Sequence, residues 1–280
     1  MKKYAVILAA VILAGTSGCG EKASLPEAYT ELPDTIKTDD VAIEPNEPAY
    51  KCTVSCYKNN ILDSEKVYYY DSHDNKVIYA ETYGDYEYRY KYDTDGNILE
   101  QAEYNYKGGL EKTTRNTYNA DGLLIKSVMY KVKNKEPDVL EKHWYSESKY
   151  DDMGSLIRQI IVTSEGTVLT DNYKYEYDVD GNAVKKTYDA GTADYIYEYT
   201  YDSSGNMLTS SENHKFLFKT EQCDSTVYEY DSCGNLIKEK SSFSDGSADI
   251  VITYEYDTQN RQIRKVVGSS ETVYEYEDVE

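Results

Sequence analysis

The chain is poor in the residues that usually announce chemistry, with 3 His, 1 Trp, 3 Phe and 5 Cys in 280 residues. His73, His143 and His214 stand far apart, and the sequence holds no His-Glu-x-x-His zinc motif, no Gly-x-Ser-x-Gly elbow and no phosphate-cradling glycine loop. Acid–base catalysis needs positioned groups, so the expectation is a protein that is not an enzyme and carries no cofactor. With 51 carboxylates no glycosidase-like pair can be singled out, which leaves an enzyme acting on envelope glycans as a remote alternative. Positive charge is scarce too: 30 Lys and Arg leave a formal net charge of -21. Such a surface repels nucleic acid, heparin-like glycans and anionic lipid headgroups, so nucleic acid is excluded as a partner. Neutral glycans and basic protein surfaces remain. No long stretch of the mature chain has a helical period.

What the chain has is tyrosine, 33 of them, in a phrase that keeps returning. YKYDTDGN at Tyr90–Asn97, YEYDVDGN at Tyr175–Asn182, YTYDSSGN at Tyr199–Asn206 and YEYDSCGN at Tyr228–Asn235 are the clearest copies. Weaker ones begin at Tyr68, Asn116, Ser148 and Tyr254, and a truncated one at Tyr274. The step from copy to copy varies, 22 residues from Asp71 to Asp93 and 32 from Asn119 to Asp151. Self-similarity at this period marks a tandem array whose units bury surface against their neighbours.

Each unit reads as a β-hairpin. In Asp-x-x-Gly the Asp bonds the backbone two residues on, and the Gly takes the positive φ of a type I turn with a following bulge. Three residues beyond Gly96, Gly122, Gly154, Gly181, Gly205 and Gly234 stands an aliphatic residue, a register pin; the same offset from Asn260 and Asn75 gives Ile263 and Ile78. Further turn signals, such as Gly84-Asp85, Gly108-Gly109 and Ala190-Gly191, reverse the chain between units. The expected fold is all-β: tandem hairpins in a long antiparallel meander of roughly sixteen to eighteen strands, forming a twisted or solenoid-like sheet. Alternate residues share a strand face, so the tyrosines form aromatic rows, most of them expected as the core of a thin sheet. Rows near the edges, with Tyr175, Tyr177, Tyr199 and Tyr201, are candidates for stacking on ligands.

Residues 1–19 are a separate unit: a basic Met1-Lys2-Lys3, an apolar run from Ala5 to Ala14, and small residues ending in Cys19. This resembles a bacterial lipoprotein signal, with Cys19 lipidated and Thr16 departing from the usual Leu; an ordinary secretory signal cleaved nearby is the alternative. Either way the protein is exported, and the lipid reading makes it an envelope-anchored, surface-exposed protein. Residues 20–49 hold Pro26, Pro33, Pro45 and Pro48, four of the chain's 5 prolines, and many carboxylates, so they read as a disordered acidic tether. Residues 50–280 are the repeat domain.

Cys52 and Cys56 lie roughly 13 Å apart on a straight strand, beyond disulfide reach, and the pairing of Cys52, Cys56, Cys223 and Cys233 stays open. Asp93-Thr-Asp95-Gly96-Asn97 and its equivalent at Asp178 look like the start of a calcium loop. Position 12 holds Tyr104 or Asp189 instead of a bidentate Glu, so the turn alone accounts for the motif and no metal is assigned. The lone Trp144, between His143 and Tyr145 in the longest repeat, is a candidate sugar-stacking residue, although a single Trp most often serves packing.

The recurring Y-x-Y-D-x-x-G-N phrase resembles the YD repeat of the RHS family over roughly Tyr68 to Glu277. The resemblance implies spiralling β-sheet. It also implies, for a short envelope-attached member, a surface protein that binds carbohydrate or partners, in adhesion for example, and not a toxin shell. The competing expectation is a structural scaffold or protein-interaction platform that uses the unpaired edges of an open ribbon.

Overall fold

The computed structural model describes residues 25–279 apart from 42, 81–85, 135, 190–193 and 217–218. Cys19 with the rest of the leader, and the turn signals at Gly84-Asp85 and Ala190-Gly191, lie outside the described residues. The chain opens with a short helix α1 (Glu27–Thr30) and a strand β1 (Thr35–Lys37). Then come β2 (Tyr50–Lys58), β3 (Ile61–Tyr70), β4 (Lys76–Ala80), β5 (Tyr86–Tyr92), β6 (Ile98–Tyr104) and β7 (Leu110–Tyr118). β8 (Leu124–Lys133), β9 (Glu136–Tyr150), β10 (Leu156–Thr163), β11 (Val168–Tyr177), β12 (Ala183–Asp189) and β13 (Asp194–Tyr201) follow. The series ends with β14 (Met207–Phe216), β15 (Lys219–Tyr230), β16 (Leu236–Phe243), β17 (Ile250–Tyr256), β18 (Gln262–Val267) and β19 (Ser270–Asp278).

Each strand from β2 to β19 pairs antiparallel with its successor, and β19 returns to pair with β2 from Ser270↔Lys58 to Asp278↔Tyr50. The all-β expectation holds, but the open or solenoid-like sheet is corrected: the meander is a closed barrel. Closure leaves neither terminal strand of the meander unpaired, which removes the free edges that the scaffold expectation relied on.

The hairpin turns explain the recurring phrase atom by atom. In all eight, from Asp71–Asn75 to Asp257–Arg261, the first residue's N–H donates to the carbonyl four residues on, and the fourth residue's N–H donates back to the first carbonyl. The first side chain's Oδ1 accepts the N–H groups two and four residues on, as Asp93 does from Asp95 and Asn97 at 2.9 and 2.8 Å. Asn119 replaces Asp without loss because only that oxygen is needed. In the four clear copies the last Asn donates to the other Asp oxygen, as Asn206 does to Asp202 at 2.9 Å. The carboxylate oxygens that look like calcium ligands in the sequence therefore face the donors of their own turn. At the fourth position Asp74 and Asn260 adopt φ of 61° each, replacing glycine in the left-handed region. Asp74, not Asn75, thus occupies the glycine place, and the register pin of that unit is Val77, which is 1% exposed, not Ile78.

Strand alternation gives the barrel two unlike walls. On β11 Tyr173, Tyr175 and Tyr177 are half-buried while Lys174 and Glu176 are exposed; on β13 Tyr197, Tyr199 and Tyr201 alternate with exposed Glu198 and Thr200. Side chains converge on the concave wall of a barrel and diverge on the convex one, so the tyrosine face is the inner wall. The outer wall carries cross-strand ion pairs in register: Lys185–Glu176 at 2.7 Å, Lys238–Glu229 at 2.6 Å and Arg264–Glu255 at 2.5 Å.

The segment expected as a disordered tether departs from that expectation. From residue 25 to 49 it lies as a strap on the outer wall, where Val41 and Ile43 join Ala102, Val128, Tyr130, Leu140, Tyr145 and Val162 in a buried apolar cluster. β9 extends beyond β10, and β1 pairs with the part left over, Thr35↔Glu141 to Lys37↔Val139. Cations of the wall answer strap carbonyls: Lys142 Nζ donates to Tyr29 and Leu32, Arg89 to Ile43 and Arg115 to Asp40. Acidity and proline keep the strap from forming long helices or strands of its own, yet apolar anchors such as Tyr29, Leu32, Ile36, Val41 and Ile43 find a prepared surface. Among the described residues the buried apolar cluster lies under this strap, not among the tyrosine rows, whose rings are mostly half-buried.

Candidate functional site

The tyrosines of the inner wall divide into two classes by their distance from the turn. In six of the hairpins the tyrosine next to the turn latches to the hairpin before. Tyr118, Tyr150, Tyr201 and Tyr256 donate to the carbonyls of Ile98, Leu124, Ala183 and Leu236 at 2.8–3.0 Å. Tyr92 and Tyr177 reach instead to Oδ2 of Asp71 and Asp151, at 2.5 and 2.6 Å. Of the candidate ligand residues, Tyr177 and Tyr201 therefore have structural duty.

Two residues further from the turn the copies differ: Tyr90 donates to the carbonyl of Lys76 at 2.8 Å, Tyr254 donates to Glu239 at 2.9 Å and Tyr228 meets the Ser210 hydroxyl at 3.0 Å, whereas Tyr175 and Tyr199 are free of that duty. Tyr175 stacks on Tyr177 with centroids 6.2 Å apart, and burial pushes its phenol up to about 12. Tyr199 is pushed up by burial and by neighbouring phenols, Tyr175 first among them. Neither hydroxyl has a hydrogen-bond partner among the described residues, and the same holds for Tyr173, Tyr195 and Tyr197. No buried side-chain polar atom among the described residues is left without a partner, so these hydroxyls face solvent inside the barrel.

Register brings these residues into one patch on β11–β14. Tyr173 stands opposite Tyr188 and Tyr175 opposite Lys186; Lys186 stands opposite Tyr197 and Tyr188 opposite Tyr195. Tyr188 packs on Tyr173 at 5.3 Å and on Tyr195 at 5.8 Å, and its hydroxyl donates to Asp171 at 2.9 Å. His214 meets the Tyr195 ring edge-on at 4.5 Å and bonds Glu212 at 2.8 Å. The Lys186 ammonium sits 4.4 Å from the Tyr173 ring centroid and 5.6 Å from that of Tyr197. Burial lowers its pKa, and Asp171 opposes that shift.

Structure thus joins Tyr175 and Tyr199 in one patch and leaves Trp144 elsewhere on the wall. Trp144 is half-buried on β9, opposite Met129 of β8 and Thr163 of β10. Lys186 was not singled out by sequence reasoning, although it is in phase with Tyr188, two residues on, and that phase places it on the tyrosine face. Cys52, Cys56 and Cys233 are free thiols. Burial pushes the Cys52 thiol up. Among the described residues no group of His, Cys, Asp and Glu is placed to hold a metal ion.

No protein-family model and no curated protein matches the chain. Among solved structures it is similar to a TcdB2-TccC3-Cdc42 complex at 18% identity and a TM-score of 0.35, over 75% of this chain and 10% of that one. A porin-like protein from Bacteroides uniformis is similar at 9% identity and a TM-score of 0.37, over 85% and 99% of the two chains. Another from Bacteroides vulgatus is similar at 13% identity and a TM-score of 0.35, over 80% and 97%. The chain spans only a tenth of the toxin-complex chain, and likenesses this loose carry no functional argument.

Proposed function

We propose that the protein is a non-catalytic, lipid-anchored module of the bacterial surface, akin to short YD-repeat proteins, that binds carbohydrate on its inner tyrosine wall. The observation that supports this reading is the patch on β11–β14: adjoining aromatic faces whose phenol hydroxyls at Tyr173, Tyr175, Tyr195, Tyr197 and Tyr199 have no hydrogen-bond partner among the described residues. A sugar ring asks for both features together, an apolar face to stack on and hydroxyls to pair with. The charged outer wall supports a barrel standing in water at the end of its anchor, since a bilayer-spanning barrel turns an apolar band outward.

Glycan-array binding by the full chain in detergent micelles, with and without Ca²⁺, tests the reading. Saturable binding to a defined glycan, lost in Tyr175→Ala and Tyr199→Ala proteins that keep the barrel's circular dichroism, is the expected result. A blank array under both conditions rejects it in favour of a scaffold role.

A further inference from the structure

The two neighbours Lys185 and Lys186 sit in opposite environments. Lys185 points outward and is neutralised by Glu176 at 2.7 Å. Lys186 points inward, and its only partners among the described residues are the rings of Tyr173 and Tyr197. Among the described residues no carboxylate forms an ion pair with it. A cation drawn partly out of water is ordinarily paired, and ring faces compensate only part of the lost hydration. The nearby carboxylates have other partners, Asp171 with Tyr188 and Glu212 with His214. The cation is left to the rings of Tyr173 and Tyr197, whose hydroxyls have no partner among the described residues.

We propose that Lys186 is the anion-recognising residue of the tyrosine patch, and that its ligand is a sugar bearing a single carboxylate, of the uronic acid class. The carboxylate completes the coordination of the ammonium while the pyranose ring stacks on the adjoining phenol faces. A polyanionic glycan does not fit, because Asp171, Glu212 and the chain's formal charge of -21 repel all but the one charge that Lys186 neutralises. This inference rests on the carbohydrate-binding reading and narrows it to a class of ligand.

Titration of the full chain with glucuronate and galacturonate, against glucose and galactose as their neutral counterparts, tests it by calorimetry and by ligand-observed NMR. The expected result is that a uronate binds at least tenfold more tightly than its neutral counterpart. Lys186→Met should abolish that preference by weakening uronate binding at least tenfold, and Lys185→Met should change nothing. Equal binding of acid and neutral sugars, or a preference that survives Lys186→Met, overturns the role of Lys186 and leaves the carbohydrate reading standing. Binding of neither class overturns both.

Discussion

Val41→Ala combined with Ile43→Ala should free the strap and leave the barrel folded. Both side chains are 6% exposed in the cluster between strap and outer wall. The double change removes two carbons from Val41 and three from Ile43, and at about 0.8 kcal/mol for each buried methylene the loss is about 4 kcal/mol before any cavity is counted. The remaining anchors, Tyr29, Leu32 and Ile36, are only partly buried. At 1.4 kcal/mol per decade, amides protected by the strap alone should exchange about a thousandfold faster. The Lys142 amide, which donates to Asp34 O at 2.7 Å, and the Tyr90 amide, which donates to Asn46 Oδ1 at 2.7 Å, are the reporters. Native-state hydrogen exchange read by NMR separates them from amides of the β13–β14 ladder, which should keep their protection. Unchanged exchange at Lys142 and Tyr90 would refute the claim that these two side chains hold the strap. Equal acceleration around the whole barrel would refute its independence from the wall.

Two further predictions concern the repeat itself. Tyr177→Phe removes the donor to Asp151 and should cost about 1.5–3 kcal/mol in urea unfolding, the range for a hydrogen bond to a charged group, whereas Tyr175→Phe, which loses no protein partner, should cost under about 0.5 kcal/mol. Equal costs would mean that the latch has no energetic role. Asp93, Asp178, Asp202 and Asp231 have their carboxyls held below the usual range, first by the Asn side chain four residues on and then by that residue's N–H. Their folded pKa lies below the unfolded one, so the stabilisation is complete above about pH 4, the unfolded carboxylate range, and is lost as pH falls through the folded values. Chemical denaturation should give a plateau down to about pH 4 and a decline below it, shallower in Asp202→Asn, since an Asn there keeps the Oδ1 acceptor, as Asn119 does, without titrating. An identical decline in the variant would mean that other groups set the acid limit.

The hairpins were legible because their determinants are local: an acceptor at the first turn position, a residue tolerant of positive φ at the fourth, and alternation on either side. Where local reading slipped, at Asp74, it was because Asp took the left-handed position that glycine fills in most of the other copies. Closure was not legible. It depends on twist and stagger accumulated over eighteen strands, and no single unit encodes whether the last meets the first. The strap was misread for a different reason. Its proline and charge content describe what it cannot form alone, while the surface that orders it, Ala102, Tyr130, Leu140 and Tyr145, is supplied by strands far along the chain. In the candidate site, alternation put Tyr175, Tyr177, Tyr199 and Tyr201 on one face, yet it could not separate latch from free hydroxyl, because the latch acceptor belongs to the preceding hairpin.

That separation bears on how a repeat this uniform acquires a site. The latch tyrosines, Tyr92, Tyr118, Tyr150, Tyr177, Tyr201 and Tyr256, are tied to turn geometry. The position two residues further along the strand varies between copies: Tyr90, Tyr228 and Tyr254 hydrogen-bond protein groups there, Tyr175 and Tyr199 do not among the described residues, and Ser148 holds the place in another unit. On the proposed carbohydrate-binding reading, specificity enters through the free copies of this position, Tyr175 and Tyr199, and through the facing residues of the return strand, of which Lys186 is one. A register slip of one residue in β12 would turn Lys186 outward and bring Lys185, with its paired charge, into the tyrosine patch. The Glu176–Lys185 ion pair on the outer wall and the placement of Lys186 on the inner wall are thus two consequences of the same register, which the bulge between Glu176 and Tyr177 fixes beside the turn.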